Sequence, residues 1–420
     1  MSVPNKAKIN QRLAKRGILF VVFLGVIAFG YWYLSQGNGD PDRFRAPYES
    51  AGQIAAIKSV DDGSQAVLIA ADGKITPSPD YKAGSQDHNI TWRGDGGRVI
   101  FESDRYQQQP HVFRWNPDAD SIDRISIDKR GKGRLSFLAP GGTPSNSGLM
   151  IDGGMVVEIN SVTGETAQKL PEKNKNAAQG GDEEGAKSEM EGDFSKYGTS
   201  FADARWGKDK KFFYCVMQGE KGQTLVIKDT TSTKPLMPVI AGDHIDIDVS
   251  QKTGELVFAV QGLQIPDWDE KGQAQYTHDG KITPPFTSVL ESLNPETGDS
   301  TRIAMIKEDH PSFAMPRVSP DGGSILTAFG VYAKGQYTSA GIALMPNTES
   351  GADHPLKTMQ VPTVSQLCWD PTGQQFLFIA KTSKTAADIF LSTPDFSTPK
   401  NITQGKGNFI EAVFSPRIKS

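Results

Sequence analysis

"RVSPDGGSILTAFG", residues 317–330, reads as a short strand, a tight turn and a second strand. Arg317 and Val318 lead in. Pro320 presets φ, and Asp321-Gly322-Gly323 tolerates the positive φ of a turn. Ile325, Leu326 and Phe329 then resume an apolar run. The pattern recurs as "IKSVDDGSQAVLIA" (57–70), "TWRGDGGRVIFES" (91–103), "RWGKDKKFFYCV" (205–216), "DVSQKTGELVFAV" (248–260) and "CWDPTGQQFLFIA" (368–380). A weaker copy, "FLAPGG" (137–142), precedes "GLMIDGGMVVEI", and a truncated one, "AVFSPR" (412–417), lies near the C-terminus. One large apolar residue stands before the turn in most copies: Trp92, Phe137, Trp206, Val249, Val318, Trp369 and Phe414. Lys58 breaks the rule in 57–70.

After most of these units comes a second strand pair with a polar turn: 111–126, 224–239, 288–304 and 388–403. The repeating unit is therefore four strands over roughly 40–50 residues, the period of a propeller blade. Such a sheet is apolar on both faces and cannot bury them alone. Stacking sheets around an axis covers each face with its neighbour. The ring must close, because an open end leaves an edge unpaired. "NFIEAVFS" (408–415) is a lone strand, expected to pair into the first sheet and join the two ends of the chain. The fold class expected is all-β: a β-propeller of four-stranded blades over 52–420, with seven blades, or six or eight as alternatives.

The S-P-D-G turn at 319–322, the apolar strand after it and "FESDR" (101–105) resemble the WD40-like repeat of TolB-type β-propellers. The propeller of prolyl-oligopeptidase-family enzymes is built from a similar repeat. The resemblance covers about residues 52–417. It implies a bacterial envelope setting and protein–protein contacts. The chain has no G-x-S-x-G, so the hydrolase half of the prolyl-oligopeptidase family is not expected here.

Several function classes are excluded by composition. A net charge of −4 gives no electrostatic footprint for nucleic acid, which is not expected as a partner. Cys215 and Cys368 lie inside apolar runs and read as buried free thiols. Residues 17–34, "GILFVVFLGVIAFGYWYL", hold 18 residues without a charge, long enough for a transmembrane helix. Lys6, Lys8, Arg12, Lys15 and Arg16 precede it, which places a basic tail, 1–16, in the cytoplasm. The expectation is a single-pass inner-membrane anchor, a linker over 35–51 and an exported propeller. A cleaved signal peptide is the rival, but no A-x-A-like site follows the apolar run.

Two segments interrupt the repeat. Residues 171–198 lack Leu, Ile and Val and read as a disordered loop. Residues 262–287 instead carry Ile265, Trp268, Tyr276, His278 and Phe286. These are either a binding loop or rings packed onto the propeller's own rim. In "GDHIDIDVS", His244, Asp246 and Asp248 alternate with apolar residues and so share one face of an inner strand. They could hold a cation, line a wet channel, or pair with Arg205 or Arg317. No H-E-x-x-H, C-x-x-C or phosphate-binding glycine loop occurs, and no cofactor, catalytic residue or firm metal site is expected. Trp92, Trp206 and Trp369 share a repeat position, which assigns them to blade packing.

The function expected is a non-catalytic platform docking an envelope protein or peptide. The alternatives are a glycan-binding or glycan-processing propeller, through Asp246, Asp248, Asp267 and Asp269, and a propeller serving a separately encoded hydrolase.

Overall fold

The computed structural model describes residues 53–106, 110–125, 147–170, 196–231, 236–306, 312–333, 336–348, 357–361 and 363–416. The expected tail (1–16), membrane helix (17–34) and linker (35–51) lie outside the described residues. So do Phe137 and most of 171–198. Among the described residues no helix is long and apolar enough to cross a membrane.

The chain is an all-β propeller built from successive antiparallel sheets. The first contains β1 (Ile54–Val60), β2 (Gly63–Ile69) and β3 (Ile75–Pro77). The second is β4 (Asp87–Trp92), β5 (Val99–Ser103), β6 (His111–Asn116) and β7 (Ser121–Arg124). Three described strands follow: β8 (Ser147–Asp152), β9 (Met155–Asn160) and β10 (Thr166–Leu170). A seven-stranded sheet then joins β11 (Ser200–Trp206), β12 (Phe212–Gln218), β13 (Gln223–Asp229), β14 (Met237–Val249) and β15 (Leu256–Gln264) to two later strands. Between them lies a small hairpin of β16 (Thr277–His278) and β17 (Lys281–Ile282). The two later strands are β18 (Ser288–Leu293) and β19 (Ser300–Ile306). Next come β20 (Ser312–Val318), β21 (Ser324–Ala333), β22 (Gln336–Pro346) and β23 (Lys357–Gln360). The last sheet is β24 (Val364–Trp369), β25 (Phe376–Lys381), β26 (Ala387–Ser392) and β27 (Lys400–Asn401). The final strand, β28 (Asn408–Phe414), returns to the first sheet.

The turn chemistry explains the repeat. Asp95 and Asp321 each accept, through Oδ1, the backbone N–H two residues on, from Gly97 at 2.9 Å and Gly323 at 3.0 Å. Gly322 (φ 77°) and Gly373 (φ 72°) hold matching left-handed positions that a side chain would strain. Trp92, Trp206, Val249, Val318, Trp369 and Phe414, one step before the turns, are all buried.

Closure takes the expected form. β28 pairs antiparallel with β1, Ile54 opposite Phe414 and Ile57 opposite Glu411, and the Ser415 N–H donates to Gln53 O at 2.9 Å. The first sheet therefore runs β28-β1-β2-β3, with the C-terminal strand innermost. This corrects the reading of 57–70, which is out of phase with the other copies. Its Asp-Gly turn joins a second strand to a third, so Lys58 lies on a second strand and owes nothing to the pre-turn rule. β14 has no break: its first half pairs with β13, its second half with β15, and Gly242 pairs with both.

The core lies between sheets. One cluster joins Ala55, Ile57 and Leu68 to Trp92, Phe101 and Trp115; another joins Leu326 and Ile342 to Trp369, Phe376 and Phe378. Arg105, in the "FESDR" segment, is fully buried. Its Nη2 lies 2.6 Å from Asp87 Oδ2 and its Nη1 donates to Pro79 O at 2.8 Å, stitching the second sheet to the first. Cys215 and Cys368 are free thiols. Cys215 is fully buried and Cys368 partly so, and burial raises the pKa of both, that of Cys368 to about 11.

The antiparallel meander sorts the links onto two faces. The turns that join first to second strands, Asp321-Gly322 among them, lie on one, here the turn face. The links β1–β2, β5–β6, β12–β13, β15–β18, β21–β22 and β25–β26 lie on the other, the insert face.

Candidate functional site

The inner strands β14, β20, β24, β28 and β4 lie one against the next. Three residues before each pre-turn position stands a side chain of the same register: Asn89, Asp203, Asp246, Met315, Gln366 and Glu411. Several reach across to the following sheet. Asp246 Oδ2 accepts the Met315 N–H at 2.9 Å, and Asp248 Oδ2 accepts the Val318 N–H at 2.9 Å. Glu411 accepts the Asn89 and Ile90 N–H groups at 3.0 and 2.9 Å. Gln366 Nε2 donates to Ala412 O at 3.0 Å. Asn89 (φ 53°) and Met315 (φ 53°) are the left-handed residues of bulges in β4 and β20. Asp246 and Glu411 thus each hold backbone N–H groups at the bulge of the next inner strand.

This arrangement decides how His244, Asp246 and Asp248 are used. Asp246 is buried and Asp248 half-buried, and both serve the backbone of β20. His244 is exposed, with Nε2 3.4 Å from Asp246 Oδ1. Arg317 Nε donates to Leu367 O at 3.0 Å, and Arg205 lies 3.3 Å from Asp203. Among the described residues no group of three or more His, Cys, Asp or Glu side chains is placed to hold a metal.

The 262–287 insert is built on the insert face. It contains one helix, α1 (Glu270–Tyr276), capped by Asp269, whose Oδ1 accepts the Gly272 N–H at 3.0 Å. Gly272 is a close approach: a Cβ there would meet Asp269 Oδ2 at 2.2 Å and Ile265 Cγ2 at 2.9 Å. Trp268 sets its ring edge-on to Tyr197, centroids 5.9 Å apart, and Phe286 packs against the large core cluster around Phe258. Ile265, Trp268 and Phe286 therefore anchor the loop. Tyr276 is half-buried, whereas His278, on the β16–β17 hairpin, is exposed together with Ile282. Of the acidic residues considered for a glycan, Asp267 is exposed beside Lys221 at 4.0 Å, Asp269 caps α1, and Asp246 and Asp248 belong to β20's backbone.

A neighbouring feature escaped the sequence reading. β21 and β22 run past their flanking strands, pairing out to Tyr332 opposite Tyr337 and Ala333 opposite Gln336. Val331 near the tip is 58% exposed. The Tyr332 hydroxyl donates to Asp243 Oδ2 at 2.8 Å. Gln264 Nε2 donates to Asp243 Oδ1 at 2.6 Å and to Lys221 O at 2.8 Å. Burial, and then the Asp243 carboxylate, push the Tyr332 phenol up to about 12. These bonds tie the β12–β13 link, the β14–β15 pair and the projecting hairpin into one corner. The unusually long run "SILTAFGVYA" was its one sequence signal.

No protein-family model matches this sequence, and no curated protein matches it by sequence. Solved structures match it by fold. One, from an analysis of two prolyl endopeptidases, aligns at 11% identity and a TM-score of 0.52, over 85% of this chain and 49% of that one. An oligogalacturonate lyase in complex with manganese aligns at 9% identity and a TM-score of 0.51, over 84% of this chain and 85% of the lyase. TolB from Acinetobacter baumannii aligns at 11% identity and a TM-score of 0.45, over 89% of this chain and 69% of TolB. The chain spans about half the length of the prolyl endopeptidase it matches. At such identities the likeness is one of fold.

Proposed function

We propose that this chain is a membrane-anchored, non-catalytic propeller of seven four-stranded blades, whose insert face docks a protein or peptide outside the cytoplasm. Seven pre-turn residues in the sequence, Trp92, Phe137, Trp206, Val249, Val318, Trp369 and Phe414, support that blade number. The anchor is the uncharged run 17–34 with its basic flank.

The raised corner of the insert face carries the docking reading. The 262–287 insert and the β21–β22 hairpin both project there. They are pinned from below by Trp268 on Tyr197 and by Tyr332 on Asp243. They present the exposed apolar residues Ile282 and Val331, together with His278. Exposed apolar groups on a rigid support are what a protein partner buries. Gln53, just before β1, lies on the opposite face.

Cross-linking in intact membranes, read by mass spectrometry, tests this. Full-length protein is compared with a version in which 266–285 is replaced by a short Gly-Ser link. One envelope partner captured by the first and lost from the second is the expected result. Equal capture by both removes the insert from the docking surface.

A further inference from the structure

Two buried carboxylates near the ring-closing strand are neutralised in different ways. Asp87, on β4, accepts the Ala66 N–H at 2.8 Å and lies 2.6 Å from Arg105 Nη2, a cation that keeps its charge at every accessible pH. Glu102, on β5, is 0% exposed. Among the described residues neither of its oxygens meets a donor in full hydrogen-bonding geometry. Its described charge partner is His88, directly opposite on β4, with Nε2 3.0 Å from Oε2. The partner of this buried charge therefore titrates.

His88 also adjoins the closure. The next two residues, Asn89 and Ile90, give their N–H groups to Glu411 of β28. The indole of Trp92, at the end of β4, donates to Val413 O of the same closing strand at 3.3 Å. The imidazole, 35% exposed, thus has Glu102 on its own sheet and Glu411 on the strand that closes the ring. Burial alone lowers its pKa. The contact with Glu102 and the charges of Glu102 and Glu411, with a smaller contribution from the Gln86 backbone, outweigh burial and raise it above the ordinary 6.5.

We infer that His88 is a pH-sensitive clasp beside the closing strand: protonated, it pairs with buried Glu102 and adds its charge to the Glu411 contacts that join β28 to β4, and neutral, it leaves Glu102 without a cation at that seam. A pKa raised by folding makes the hold complete below the unfolded value of 6.5. The hold is then lost as pH rises through the folded value.

Hydrogen exchange on the full-length chain in lipid nanodiscs, at pH 6 and pH 8 and corrected for intrinsic rates, tests the clasp. Peptides covering 87–92 and 408–416 should lose protection and exchange faster at pH 8, while 368–380 stays unchanged. His88→Gln should abolish the difference, and Glu102→Gln should reduce it. Equal protection of the wild-type seam at both pH values overturns the clasp, and this comparison alone decides if neither variant folds. A pH difference that persists in His88→Gln also overturns it.

Discussion

Trp369 donates its indole N–H to the backbone carbonyl of Arg317 at 2.9 Å, and Trp92 makes the equivalent bond to Val413 at 3.3 Å. In both cases the acceptor is the residue just before the pre-turn position on the preceding inner strand. At these two copies the tryptophan of the repeat is thus a packing residue with a directed polar tie, whereas the buried Trp206 indole has no such bond among the described residues. Trp369→Ala should destabilise the protein by about 3–5 kcal/mol, as large aromatic truncations in cores do. Trp369→Phe, which keeps most of the ring, should isolate the lost bond at about 1 kcal/mol. Urea unfolding followed by tryptophan fluorescence and circular dichroism reads both.

Asp246 is a brace in this structure, with one oxygen on the Met315 N–H at a left-handed bulge. Asp246→Ala leaves that donor without its partner and should cost about 1–3 kcal/mol. Asp246→Asn, which keeps a carbonyl oxygen, should cost much less. If the residue instead held a cation, added divalent ions would raise the wild-type melting temperature and chelators would lower it. Differential scanning calorimetry with and without chelator should show no such shift.

Asp388 is almost fully buried and accepts four hydrogen bonds, from Thr403 at 2.6 Å, Gly405 N at 2.9 Å, Thr382 at 3.0 Å and Asn401 at 3.1 Å. Burial alone would raise its pKa, but these donors outweigh it and hold the carboxyl below 3.8. A depressed folded pKa contributes stability above the unfolded value and loses it as pH falls through the folded value. Asp388→Asn should therefore be less stable than wild type at pH 7, with the gap closing in acid. Denaturant midpoints at pH 7 and pH 3 measure it.

The Tyr332–Asp243 bond holds the projecting hairpin rather than the core. Tyr332→Phe should leave the melting temperature almost unchanged while speeding amide exchange over 331–339. A large drop in melting temperature would instead make the hairpin part of the main cooperative unit.

Much of this fold was legible because its signals are local. A Pro-Asp-Gly-Gly turn with apolar residues on either side needs no long-range information, and its recurrence gave the four-stranded unit. The lone strand 408–414 announced the closure. Other features depend on register between sheets. Nothing in "GDHIDIDVS" says that Asp246 meets the backbone of residue 315, or that Glu411, far away in sequence, plays the same part for residues 89 and 90. The phase error at 57–70 has a related cause: Asp-Gly turns serve second-to-third links as readily as first-to-second ones. β14 was missed as one strand because two pairings share it. In the insert, the aromatic content was visible, but the division into Trp268 and Phe286 as anchors and His278 as an exposed group needed the packing around Tyr197 and Phe258.

The most direct test of the docking face is site-specific photo-cross-linking in intact membranes. A photoreactive residue is placed in turn at Ile282, at Val331 and, on the turn face, at Asp321. The docking reading predicts that Ile282 and Val331 yield the same cross-linked partner and Asp321 yields none. A partner captured only from Asp321, or different partners from Ile282 and Val331, would contradict it.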